Sequence, residues 1–157
     1  MLGKAAALAA LTLMVANGWA NAEPASQNRR LITEFTPQVI ERILDKLEVE
    51  FEGEDGFYTW TDGDLEYSVS IIEDMDGENS ELFMSASMAV DDDYSEACHD
   101  WNVQSRFGRM YHSEDMIYFE HDLIARGGVT EASVERQIEK FQTHATDAMD
   151  WVMGMGL

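Results

Sequence analysis

The sequence predicts an α+β domain, an antiparallel sheet flanked by helices in the order α-β-β-β-(β)-α-β-β-α. Three observations predict it. The apolar period switches from helical to two near Leu47, and residues 65–71 and 82–88 keep the alternation. Asp62-Gly63 falls between two such runs, which is a hairpin signal. Residues 100–130 place a polar Trp-Asn pair in a helix, follow it with two short strands, and run through Gly-Gly-Val-Thr into a last helix.

Thr36-Pro37 opens the first helix, with Thr36 as N-cap and Pro37 at the first helical position. Val39, Ile40, Ile43, Leu44 and Leu47 repeat at helical spacing and give it one apolar face. Leu47, Val49 and Phe51 then alternate with Glu48, Glu50 and Glu52, the pattern of a half-buried strand with an acidic face. Gly53-Glu54-Asp55-Gly56 is a turn into a strand over 57–61. Asp62-Gly63 turns into the strand over 65–71, and residues 74–79 (DMDGEN) turn into the strand over 82–88. Tight turns between alternating runs make this an antiparallel meander.

Asp91-Asp92-Asp93 precedes a helix over 94–107, where acids complement the positive end of the helix dipole. Tyr94, Ala97, Cys98, Trp101 and Ser105 share its apolar side. Gly108 ends it. Residues 109–112 and 116–124 read as a hairpin around Ser113-Glu114-Asp115, closed by Gly127-Gly128. Thr130 caps the last helix, whose stripe of Val134, Ile138, Phe141, Ala145, Ala148, Met149 and Val152 suits a sheet face or a second subunit.

The chain begins as an exported protein does. Lys4, an apolar run over 5–15 and Ala20-Asn21-Ala22 form a signal peptide over 1–22, shorter in its core than the roughly 20 residues of a membrane span. Residues 23–35 form a polar tail and 36–153 one domain. The expected location is periplasmic or secreted, with no membrane association after cleavage. The net charge is −21, and losing Lys4 with the leader takes it to −22. That excess repels nucleic acid and anionic membranes and suits a basic partner. Cys98 is the single cysteine, so no internal disulfide forms. Its place on an apolar helix side predicts burial, with a disulfide-linked dimer as the alternative.

No catalytic set is recognisable, and no cofactor or metal is implied. His112 and His121 are candidates to face each other across the hairpin, but no zinc-ligand spacing accompanies them. Asp74-x-Asp76-Gly77 is a fragment of a calcium loop and reads better as a turn. Paired carboxylates of a hydrolase are a question of spatial separation that counting cannot answer. Asn102 is a mediocre helix former, which predicts that its amide bonds a backbone group of the adjacent hairpin; a ligand contact is the alternative. Arg106, one turn beyond, is expected to bridge to an acid such as Asp122.

Trp101-Asn102, Arg106-Phe107, Tyr111, Asp122-Leu123 and Gly127-Gly128-Val129-Thr130 resemble the YbjN-type domain family, with looser agreement over nearly all of the mature chain. The resemblance implies a bacterial sensory transduction regulator with a fold similar to type III secretion chaperones, which pair as dimers and hold extended segments of a partner. It brings no catalytic residues to carry over. Trp101, Asn102, Arg106, Tyr111, Gly127, Gly128 and Thr130 are its candidate structural or binding motif. Many members are cytoplasmic, whereas this chain carries an export signal. The expectation is therefore an exported, non-enzymatic module that binds a protein partner or a second copy of itself. A carboxylate hydrolase and an acidic cation-binding protein are the alternatives.

Overall fold

The computed structural model describes residues 31–73 and 81–155. The expected signal peptide over 1–22 and the turn expected over 74–79, with its calcium-like fragment, lie outside the described residues. The expected polar tail is described from Leu31 onward. There Leu31–Ile32 forms β1, and Ile32 and Phe35 are buried in the core. Their apolar side chains place this end of the chain inside the domain.

α1 (Pro37–Lys46) starts at Pro37 and buries Ile40, Ile43 and Leu44. It stops in a Schellman turn. Glu48 takes a left-handed φ of 55°, its N–H donates to the Asp45 carbonyl, and the Val49 N–H donates to the Leu44 carbonyl at 3.1 Å. This turn corrects the strand expected over Leu47 to Glu52. Leu47, Val49 and Phe51 do pack on the core, but as an irregular connection. Pairing begins only at β2 (Glu52–Glu54).

β3 (Phe57–Asp62), β4 (Leu65–Ile72) and β5 (Glu81–Ala89) form the meander. Asp55 and Gly56 both have positive φ, 54° and 92°, as a two-residue Asp-Gly hairpin turn demands. α2 (Ser95–Gln104) follows. It ends three residues before the expected Phe107, because Ser105 turns extended and its hydroxyl bonds the Phe107 main chain in place of a helical partner. β6 (Arg109–Ser113) and β7 (Met116–Ile124) form the expected hairpin. β8 (Val129–Thr130) pairs with β1, and α3 (Glu131–Met155) runs 25 residues, about 37 Å. The Thr130 hydroxyl accepts the Ser133 N–H at 3.2 Å and caps this helix.

The main sheet has the order β2-β3-β4-β5-β7-β6, antiparallel at every pair. Helix contacts reach one face of it. Tyr58 donates to Glu41 of α1 at 2.7 Å, Tyr67 and Phe119 pack their rings on Phe141 of α3, and Met110 meets α2. The whole stripe of α3 is buried within one copy, from Val134 through Phe141 to Val152. The surface foreseen there for a second subunit is therefore already occupied by the chain's own sheet. Arg42 bonds Glu131 through both guanidinium ends at 3.1 Å, tying α1 to α3 and holding the Glu131 carboxyl below its ordinary range.

Candidate functional site

Strand alternation sends every second side chain to the other face of the sheet. The register lines these residues up. Thr59, Ser68, Ser85, Glu120 and Arg109 form one row, and Thr61, Glu66, Ser87, Tyr118 and Tyr111 form the next. Beyond the Glu120 row, on the same face, lie Phe57, Ser70, Phe83 and Asp122, then Ile72, Glu81 and Ile124. No helix contact among the described residues reaches this face. It carries exposed apolar side chains at one end, with Phe57 at 53%, Ile72 at 39% and Ile124 at 58% exposure.

The other end is organised around a carboxylate. Glu120 is only 9% exposed although it stands on an open face. Its Oε2 pairs with the Arg109 guanidinium, and its Oε1 accepts the Tyr111 hydroxyl at 2.7 Å. The Tyr111 ring stacks on Tyr118 with centroids 5.0 Å apart and planes 17° from parallel. The Arg109 guanidinium carbon lies 5.8 Å from the Tyr111 ring centre. Desolvation, then the bond to anionic Glu120, pushes the Tyr111 hydroxyl up to about 12. The arrangement is a buried acceptor beside an aromatic platform, already occupied by a cation.

The motif residues do not converge on one site. Trp101 packs on Trp151 at 5.6 Å and joins α2 to α3. The Asn102 carboxamide makes both of its bonds to Met110, donating to the carbonyl at 2.6 Å and accepting the N–H at 2.8 Å. Met110 lies on the edge strand, so Asn102 stands where a neighbouring strand would pair. Gly127 and Gly128 have φ of 89° and 93°, and a β-carbon on Gly128 would lie 3.3 Å from that of Leu31, so the glycine lets β1 approach. Thr130 is a helix cap. Of the seven, Tyr111 alone points to the bare face. The bridge from Arg106 to Asp122 does not form: α2 ends before Arg106, which stands exposed, and Asp122 belongs to the bare face.

The other candidates separate too. His112 pairs in register with Ile117 rather than with His121, and its Nδ1 lies 3.2 Å from Asp93. His121 and His144 lie against Phe107 at 4.1 and 4.5 Å. Among the described residues no group of three His, Cys, Asp or Glu side chains is placed to hold a metal ion. Cys98 is 2% exposed, and burial pushes its thiol up to about 11. No helix among the described residues is long and apolar enough to cross a membrane.

A protein-family model described as "YbjN: Putative bacterial sensory transduction regulator" matches residues 36–153. The chain belongs to the YbjN family. The crystal structure of YbjN from E. coli, described as "a putative transcription regulator", matches with a TM-score of 0.63. The match covers 81% of this chain and 96% of that one, at 12% identity, so the likeness is one of fold. A search of curated proteins finds no match.

Within this YbjN-family fold, sequence reasoning missed Glu120, Arg109, Tyr118, Phe57, Phe83 and Ile124. A signal for them was present. In the strand over 116–124, Ile117 and Phe119 mark the core side, which leaves Tyr118, Glu120 and Ile124 outside. Large aromatic and aliphatic residues at solvent-side positions of a strand need a reason beyond folding.

Proposed function

We propose that this YbjN-family chain is an exported regulatory module that works by binding rather than catalysis. It holds a segment of a protein partner against the bare sheet face. The observation that carries this reading is the exposure of Phe57, Ile72 and Ile124 beside Phe83 on a face that no helix reaches. The family's regulatory description and the leader-like start support it. The edges argue for the face as the contact. One edge strand has the outward N–H and carbonyl of Met110 taken by Asn102, and the other edge is the three-residue β2 with two glutamates.

A photo-crosslinking amino acid placed at Phe83 and at Ile124 in intact cells tests the reading, with exposed Val103 on α2 as the control. The expected result is one protein partner captured from both face positions and not from Val103. Capture of a second copy of the chain would replace the partner with self-association. Equal labelling from Val103 would end the proposal.

A further inference from the structure

We propose that the Glu120 end of the bare face is a receptor for a cationic side chain, a guanidinium in the first place, and that Arg109 fills it while the face is empty. The inference rests on the reading of this face as a partner-binding surface and names the chemistry of the partner.

Three observations carry it. A carboxylate on an open sheet face is normally hydrated, yet Glu120 is 9% exposed and has both oxygens engaged. Arg109 is the opposite. Its side chain is 70% exposed, bonded to Glu120 and set against the Tyr111 ring, with Asp122 adding a weaker attraction. It lies on the first residue of the edge strand, where withdrawing the side chain unpacks nothing in the core. Tyr111 and Tyr118, stacked beside the pair, supply π-faces for a planar cation. The chain's own arginine therefore displays the pose that a partner's arginine would take.

The occupant is a basic, apolar-flanked protein segment. Charge complementarity favours it, since the whole chain stands at −21 and Glu66 and Asp122 on this face are exposed. Ile124 lies four residues beyond Glu120 on the same strand, about 13 Å away. A segment that sets a cation in the Glu120 end would lay apolar residues on Phe83 and Ile124.

The test is an NMR titration of the full mature chain with an oligo-arginine peptide and with its neutral oligo-citrulline twin, following the Tyr111 and Tyr118 ring signals. Arg109→Ala removes the resident cation and should tighten oligo-arginine binding by about tenfold. Glu120→Gln, which keeps shape and bonding, should weaken it by about tenfold, and citrulline should not bind. Glu139→Gln, at an exposed position of α3 away from the face and with the same change in net charge, should have little effect. Loss of affinity in Arg109→Ala, or equal weakening by Glu139→Gln and Glu120→Gln, would overturn the receptor and leave diffuse attraction. Thermal melts of each variant exclude misfolding, and Tyr118→Leu gives a second reading that leaves the carboxylate in place. If crosslinks at Phe83 and Ile124 capture a partner while the titrations stay flat, this inference fails and the docking face stands.

Discussion

The side chain of Asn102 and the main chain of Met110 exchange two hydrogen bonds, at 2.6 and 2.8 Å. A carboxamide offers one donor and one acceptor side by side, as a peptide unit of a neighbouring strand does. Asn102→Ala leaves the N–H and carbonyl of Met110 unmatched. The expected cost is about 1–3 kcal/mol in urea unfolding. The freed edge should also promote self-association, read as a rising sedimentation coefficient with concentration. An Ala variant that stays monomeric and fully stable would deny Asn102 this role.

Gly108 offers a sharper steric prediction. It has a φ of 73°, and a β-carbon there would lie 2.4 Å from the Phe119 ring and 2.9 Å from the Glu120 carbonyl. Gly108→Ala is expected to cost roughly 1–3 kcal/mol or more, since backbone strain and overpacking act together. It should also disturb the Glu120 signals, because the strand that carries them must move.

The Cys98 thiol is buried, which pushes it up to about 11, with Asp93 adding to the effect. The thiolate is the reactive form, so alkylation at neutral pH should be slow in the folded protein and fast in denaturant. A disulfide-linked dimer formed under mild oxidation of native protein would contradict this.

Alkaline conditions should weaken the fold in a defined window. Tyr58 and Tyr111 are each pushed up to about 12 from 10.0, chiefly by burial and then by the carboxylates they bond. The unfolded chain loses these protons first, so their contribution is complete below pH 10 and disappears between 10 and 12. Denaturant midpoints taken across that window should fall, and Tyr58→Phe should flatten part of the decline.

Acid should act through His121. Burial holds it below its ordinary 6.5, Lys140 and His144 reinforce this, and Asp122 opposes them. The unfolded state therefore takes the proton first. Stability should fall as pH drops through 6.5 and below, until the folded histidine also protonates. His121→Leu should reduce that slope; an unchanged slope would assign it elsewhere.

Much of the fold was legible because its signals are local. Thr36-Pro37 starts a helix by fixed φ, and the Asp62-Gly63 signal falls within one residue of the actual turn, Gly63-Asp64, with Asp62 still paired to Leu65. Glu48 misled for the same reason. A glutamate in a left-handed cap has no sequence signature, so Leu47, Val49 and Phe51 read as a strand. β1 is two residues long, too short for any period. The site was less legible, because alternation separates the two faces of a strand without saying which face the helices cover. Tyr58 and Tyr111 are both strand tyrosines bonded to glutamates, yet one lies under α1 and the other faces outward.

Because α1, α2 and α3 all press on a single side of the sheet, the scaffold and the reading surface are nearly independent. Exchanging Phe57, Phe83, Tyr118 or Ile124 leaves the buried core between the sheet and the helices untouched. A family built this way can diversify what it recognises with little thermodynamic penalty. Grafting those outward positions from one member onto another should carry over the donor's preference while leaving the melting behaviour of the host intact.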